Sequence, residues 1–97
     1  MRFRNDTRFR RSSDALYRRV GADVLVTRPG DPLMHELSGG ATAVWDGLHV
    51  SPTLPELVDR LAAAHGIEAE QIEGQVEGCL EMLLGLGVAE EGTNPDA

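Results

Sequence analysis

Residues 33–48, LMHELSGGATAVWDGL, decide how the rest of the chain is read. Leu33, His35 and Leu37 alternate with Met34 and Glu36, the period of two that marks a half-buried strand. Beyond the junction Ser38-Gly39-Gly40 the period changes. Ala41, Val44, Trp45 and Leu48 recur at i, i+3, i+4 and i+7, one apolar face of a helix. Ser38 is placed to cap that helix, because its hydroxyl can accept a free backbone N–H of the first turn. A strand therefore runs straight into a short helix over about Gly40–Leu48. The chain before this junction should be sheet, and the chain after it should pack around Trp45.

Upstream, Pro29-Gly30-Asp31-Pro32 is dense in turn formers, and its prolines cannot donate to a sheet ladder. Before it, Val24-Leu25-Val26-Thr27 is a β-branched run suited to a strand. Gly21-Ala22-Asp23 makes a turn, and Ala15–Val20 supplies another strand. Three short strands with tight links predict an antiparallel meander whose last member, Leu33–Leu37, lies at an edge. Residues 1–14 show no sustained period and are rich in arginine. They are expected to form a flexible basic arm ahead of a domain spanning 15–89.

Downstream, Thr53-Leu54-Pro55-Glu56 is a helix start. Thr53 caps, Pro55 sits where its missing N–H is harmless, and Glu56 completes a capping box. Leu54, Leu57, Val58 and Leu61 give this helix its apolar face, and Gly66 ends it as a left-handed residue. A third helix covers about Ala69–Leu86. Sorted at about 100° per residue, Ile72, Val76, Cys79, Leu80, Leu83 and Leu86 form its core side. Glu70, Glu73, Glu77 and Glu81 line a second side. Gly74, Gly78 and Gly85, with Gln71 and Met82, make a third. Glycine inside a helix costs roughly 1 kcal/mol relative to alanine, so this stripe predicts that something approaches the backbone closely. Residues 90–97 are expected to fray.

Ninety-seven residues with 41% apolar side chains make one α+β domain. One cysteine, Cys79, excludes an internal disulfide and suits a reducing cytoplasm. No stretch approaches the roughly 20 apolar residues that cross a membrane, and the N-terminus lacks the apolar core of a signal peptide. The net charge of −7 is unevenly spread: seven of the nine arginines fall within residues 1–19, and no basic residue follows Gly66. GxGxxG, P-loop, CxxC and HExxH patterns are absent. His35, His49 and His65 sit in separate elements, and the spacing implies no metal or cofactor site. Glu73 and Glu77 fall on a solvent face with no pocket implied, so no enzyme is expected.

The order strand, L-S-G-G-A-T-A-V-W-D-G-L, T-L-P-E-L-V and a last helix ending L-L-G-L-G-V resembles the PqqD-like family, or RiPP recognition elements, over about Leu16–Ala89. The resemblance implies a winged helix-turn-helix-like fold, with a three-stranded antiparallel sheet followed by three helices. It implies a cytoplasmic peptide chaperone that binds the leader of a ribosomal precursor peptide and presents it to a modifying enzyme, often a radical SAM enzyme. By this resemblance the leader lies against Leu33, Met34, His35, Glu36 and Leu37. On the facing helix it meets Gln71, Gly74, Gln75, Gly78 and Met82. Members dedicated to pyrroloquinoline quinone usually carry cysteine where this chain has Trp45, so the general role transfers rather than that one pathway. The physics agrees, because an open strand edge accepts an extended chain.

Two other readings use the same elements. A winged-helix DNA-binding regulator would present a helix to the major groove, but the last helix is acidic and phosphates would repel it. No nucleic acid is expected. A bare dimerisation module is compatible with exposed edges, which also permit domain swapping.

Overall fold

The meander forms where its turns place it. In the computed structural model, which describes residues 3–93, nine short elements succeed one another. They are β1 (Phe9–Arg11), β2 (Leu16–Val20), β3 (Asp23–Thr27), β4 (His35–Leu37), α1 (Gly40–Gly47), a 3₁₀ turn (Leu48–Val50), α2 (Leu54–His65), α3 (Ala69–Gly85) and β5 (Ala89–Glu91). Strands β2, β3 and β4 make an antiparallel sheet in that order, so β4 is an edge as expected. The register pairs Val24 with Leu37 and Val26 with His35. Val24, Val26 and Leu37 turn inward beneath the helices, joining Val44, Trp45, Leu48, Leu54, Leu57, Leu80 and Leu83 in one core. Gly47 lets α1 and α2 close tightly, since a Cβ there would fall 2.5 Å from Leu57 Cδ1. No helix among the described residues is long and apolar enough to cross a membrane.

The structure differs from the sequence expectation in three places. First, the edge strand is shorter than Leu33–Leu37. The Asp31 carboxylate accepts the Leu33 N–H at 2.9 Å, and the Thr27 hydroxyl donates to the Leu33 carbonyl at 2.8 Å. These side chains occupy the Leu33 backbone groups, and the ladder begins at His35. Second, Ser38 does not cap α1. The N-cap is Gly39, at φ 55°, with no side-chain cap bond. The reversal from strand to helix is sharp enough to need a left-handed residue, and glycine takes it without a Cβ clash.

Third, much of the expected arm is structure. Phe9–Arg11 pairs antiparallel with Ala89–Glu91, so the expected tail is also ordered at Glu90 and Glu91. Phe9 is fully buried, with Phe3 edge-on to it at 5.1 Å. Arg10 pairs with Glu90 at 2.5 Å. The Arg8 guanidinium donates to the Ser51 carbonyl at 2.9 Å and to Glu56 at 3.0 Å. A strand of three residues is too short to show a period, so nothing local marks it. The expected fraying of residues 94–97 lies outside the described residues.

The helix ends obey their codes. Thr53 and Glu56 exchange both bonds of a capping box, at 2.9 and 3.3 Å. Gly66 closes α2 at φ 66°, with its own N–H and that of Ile67 donated to Ala63 and Ala62. The Thr53 backbone bond, helped by the nearby Arg8 charge, holds the Glu56 carboxyl below its ordinary value of 4.5.

Truncating Phe9→Ala is expected to cost roughly 3 kcal/mol by urea unfolding, whereas Arg4→Ala, on an exposed side chain, should leave the midpoint unchanged. Thr53→Ala should cost about 1 kcal/mol. Because the folded state depresses the Glu56 pKa, its stabilisation is complete above pH 4.5 and fades as pH falls through the folded value. Unfolding midpoints measured across that acidic window should therefore fall less steeply for Glu56→Gln than for the wild type.

Candidate functional site

Strand β4 is bonded to β3 on one side, and no strand pairs with its other side among the described residues. An antiparallel edge points alternate N–H and C=O groups outward. Its side chains divide by the pleat. Leu37, 2% exposed, belongs to the core, and only its backbone can meet a ligand. Glu36 faces out to solvent. His35 is half-buried, with Nε2 3.1 Å from Asp31. The Leu33 N–H and the His35 ring together hold the Asp31 carboxyl below its usual range. Asp31 thus braces the approach to the strand. Leu33 and Met34 precede it with apolar side chains standing in solvent.

On α3 the core side sorts as the period predicts, whereas Glu73, Glu77 and Glu81 of the expected solvent side are half-buried. Val76, Leu80 and Leu83 enter the core. A Cβ built on Gly74 or Gly78 would find no atom within 4 Å. The glycine stripe therefore packs against nothing among the described residues, and its backbone lies bare. Met82 is exposed one turn beyond it. Gln71 is partly committed, because its Oε1 accepts the Glu68 N–H at 3.0 Å and completes the start of α3.

The two halves meet at the start of α1. Gly40 comes three residues after β4, and a Cβ there would sit 4.0 Å from Cys79 Sγ on α3. Beside this contact a cavity of about 270 Å³ opens between α1, the end of α2 and α3. Of the site residues expected from the sequence, Gln75 alone lines it. Its other walls include Ala43, Leu61, His65, Ile67 and Ile72. None of these is marked as a site residue by the sequence patterns. The available signal was Ile67, an apolar residue left in solvent directly after the Gly66 turn.

Burial raises the Cys79 thiol above its ordinary pKa, which keeps it protonated and a poor nucleophile. Among the described residues, no group of three or more His, Cys, Asp or Glu gathers as metal ligands. The described residues offer backbone hydrogen bonding along β4, bare backbone on α3 and an apolar recess between α1, α2 and α3.

Comparison with known proteins places this architecture. One solved structure, titled "TbiB1 in Complex with the TbiA(beta) Leader Peptide", shares the fold with a TM-score of 0.74 at 15% identity, covering 88% of this chain and 99% of that one. No curated protein sequence matches significantly. The family model for coenzyme PQQ synthesis protein D matches residues 23–89, from β3 to the first residue of β5. That match spans well over half of the chain, across both the edge strand and α3, and the chain belongs to the PqqD family.

Proposed function

We propose that this protein is a non-catalytic chaperone for a ribosomally made precursor peptide, acting in the cytoplasm. The leader segment adds to β4 as a further strand, lies over Gly74 and Gly78 of α3, and is presented to a modifying enzyme of the radical SAM type. The observation that carries this reading is that, among the described residues, the edge of β4 is unpaired and the glycine stripe of α3 meets no other side chain or segment. Family membership and the leader peptide bound by the structurally similar TbiB1 support it. Trp45 stands where quinone-dedicated members usually carry cysteine, so the reading is of the general role.

Magnitudes assign roles to the parts. Micromolar binding requires about 8 kcal/mol. An edge of three residues offers only a few backbone bonds, each worth about 1 kcal/mol net. The remainder must come from apolar anchors at about 1.5–3 kcal/mol for each fully buried side chain. Leu33, Met34 and Met82 provide exposed apolar surface, and methionine adapts to varied partners. The cavity beside Gln75 has room for one more side chain. Backbone bonding thus sets direction and register, and the anchors set which leader binds.

Gly78→Trp places an indole over the stripe without touching the core, because a side chain there meets open space. Its thermal midpoint should match the wild type while its affinity for the cognate leader falls at least about tenfold. Unchanged affinity in a folded variant would reject the groove. With Glu70, Glu73, Glu77 and Glu81 on α3, a leader carrying Lys or Arg should bind more weakly as salt rises, measured by titration at low and high ionic strength.

A further inference from the structure

The sheet has a second open edge. Strand β2 is five residues long, pairs only with β3 among the described residues, and has no buried residue. No backbone bond joins its outer side to any other described segment. Three of its side chains are apolar and half in solvent: Leu16 at 55%, Tyr17 at 54% and Val20 at 49% exposure. An exposed edge of this kind is a ready template for another chain.

Register sorts its two faces. Leu16, Arg18 and Val20 oppose Thr27, Leu25 and Asp23, the residues of β3 that point away from the core. Tyr17 and Arg19 therefore lie on the core-facing side, and both are pinned. Tyr17 stands edge-on to Trp45 at 5.5 Å, with the Arg11 guanidinium 5.1 Å from its ring centre. Arg19 bonds Asp46 at 2.6 Å. The strand is thus held rigid before any partner arrives, which lowers the ordering cost of docking. On the outer face, Arg18 sits between Leu16 and Val20 and has no ion pair among the described residues.

Charge selects the occupant. A second copy, in the register that pairs all five residues of β2, would set Arg18 opposite its own twin, and like charges directly opposed are destabilising. An acidic residue in the same place would be matched, with Leu16 and Val20 free to cover apolar neighbours on either side. We propose that β2 is the docking edge for an extended acidic segment of a partner protein, with the pattern apolar–x–acidic–x–apolar and its acid opposite Arg18. β2 and β4 lie at opposite sides of one sheet, so this segment and a chain on β4 do not compete. Docking at β2 is independent of what β4 binds.

The test is a titration of the full chain with the peptide Thr-Val-Thr-Glu-Thr-Val-Thr, monitored by backbone amide NMR shifts, beside the same peptide with Lys for Glu. Saturable shifts are expected at Leu16–Val20, with the Lys peptide about tenfold weaker. Arg18→Glu, on an exposed side chain, should fold normally and reverse the order of the two peptides. Three results would overturn the proposal: no saturable binding up to about 1 mM, shifts at His35–Leu37 instead of β2, or an order of affinity that Arg18→Glu leaves unchanged.

Discussion

The burial of Trp45 is the contact on which the other elements depend. The indole lies in α1 and is wholly inside the protein. Tyr17 of β2 meets it edge-on, and the Arg11 guanidinium of β1 sits 4.7 Å from its ring centre. Arg11 also donates to the Trp45 carbonyl at 3.2 Å and reaches Asp46 at 3.7 Å. One residue therefore ties a helix to two strands of different sheets. Aromatic pairs and cation–π contacts add about 0.5–2 kcal/mol each, and the apolar area that the indole buries stabilises the fold further. Because β1 also pairs with β5, which comes after α3, this contact draws the two ends of the described chain together.

That closure explains why the edges can stay open. A three-stranded sheet exposes two ladders, and proteins usually cover or blunt them. Here the core is built on one face, with α1, α2 and α3 supplying most of its side chains, and the second sheet closes the molecule elsewhere. β4 is kept short, with Glu36 outward, and β2 carries Arg18 and Arg19. Short length and charge discourage indiscriminate pairing while leaving the backbone groups available. The same logic applies to α3. Its interior glycines each weaken the helix, and no packing among the described residues recovers that loss. A bare helix backbone and an open strand edge in one small domain are the two surfaces that the proposed peptide would use.

Local chemistry made much of this legible. The period change at Ser38-Gly39-Gly40, the Thr53 capping box and the Gly66 stop each act over a few residues, and each marks an element boundary in the structure. The edge position of β4 and the exposed glycine stripe were also readable from period and order. The walls of the cavity were not. Ala43, Leu61 and Ile72 come from three helices, and no single period records how helices stand against one another. Leu37 shows the same limit from the other side. Alternation set it with Leu33 and His35 on the half-buried face, but only the packed core shows that its side chain is closed to a ligand and its backbone alone is left at the edge.

The sequence by itself determined the order and kind of the central elements, since caps, turns and periods are codes written within a helical turn or a strand pair. Only the tertiary structure decided that Phe9–Arg11 is a strand rather than an arm. Its partner stands 80 residues away, where Arg10 meets Glu90. It also decided that Gly39 rather than Ser38 begins α1, because the angle between strand and helix is set by how α1 must lie to bury Trp45. Pairing across such distances is settled by burial and ladder bonds that exist only once the chain has closed.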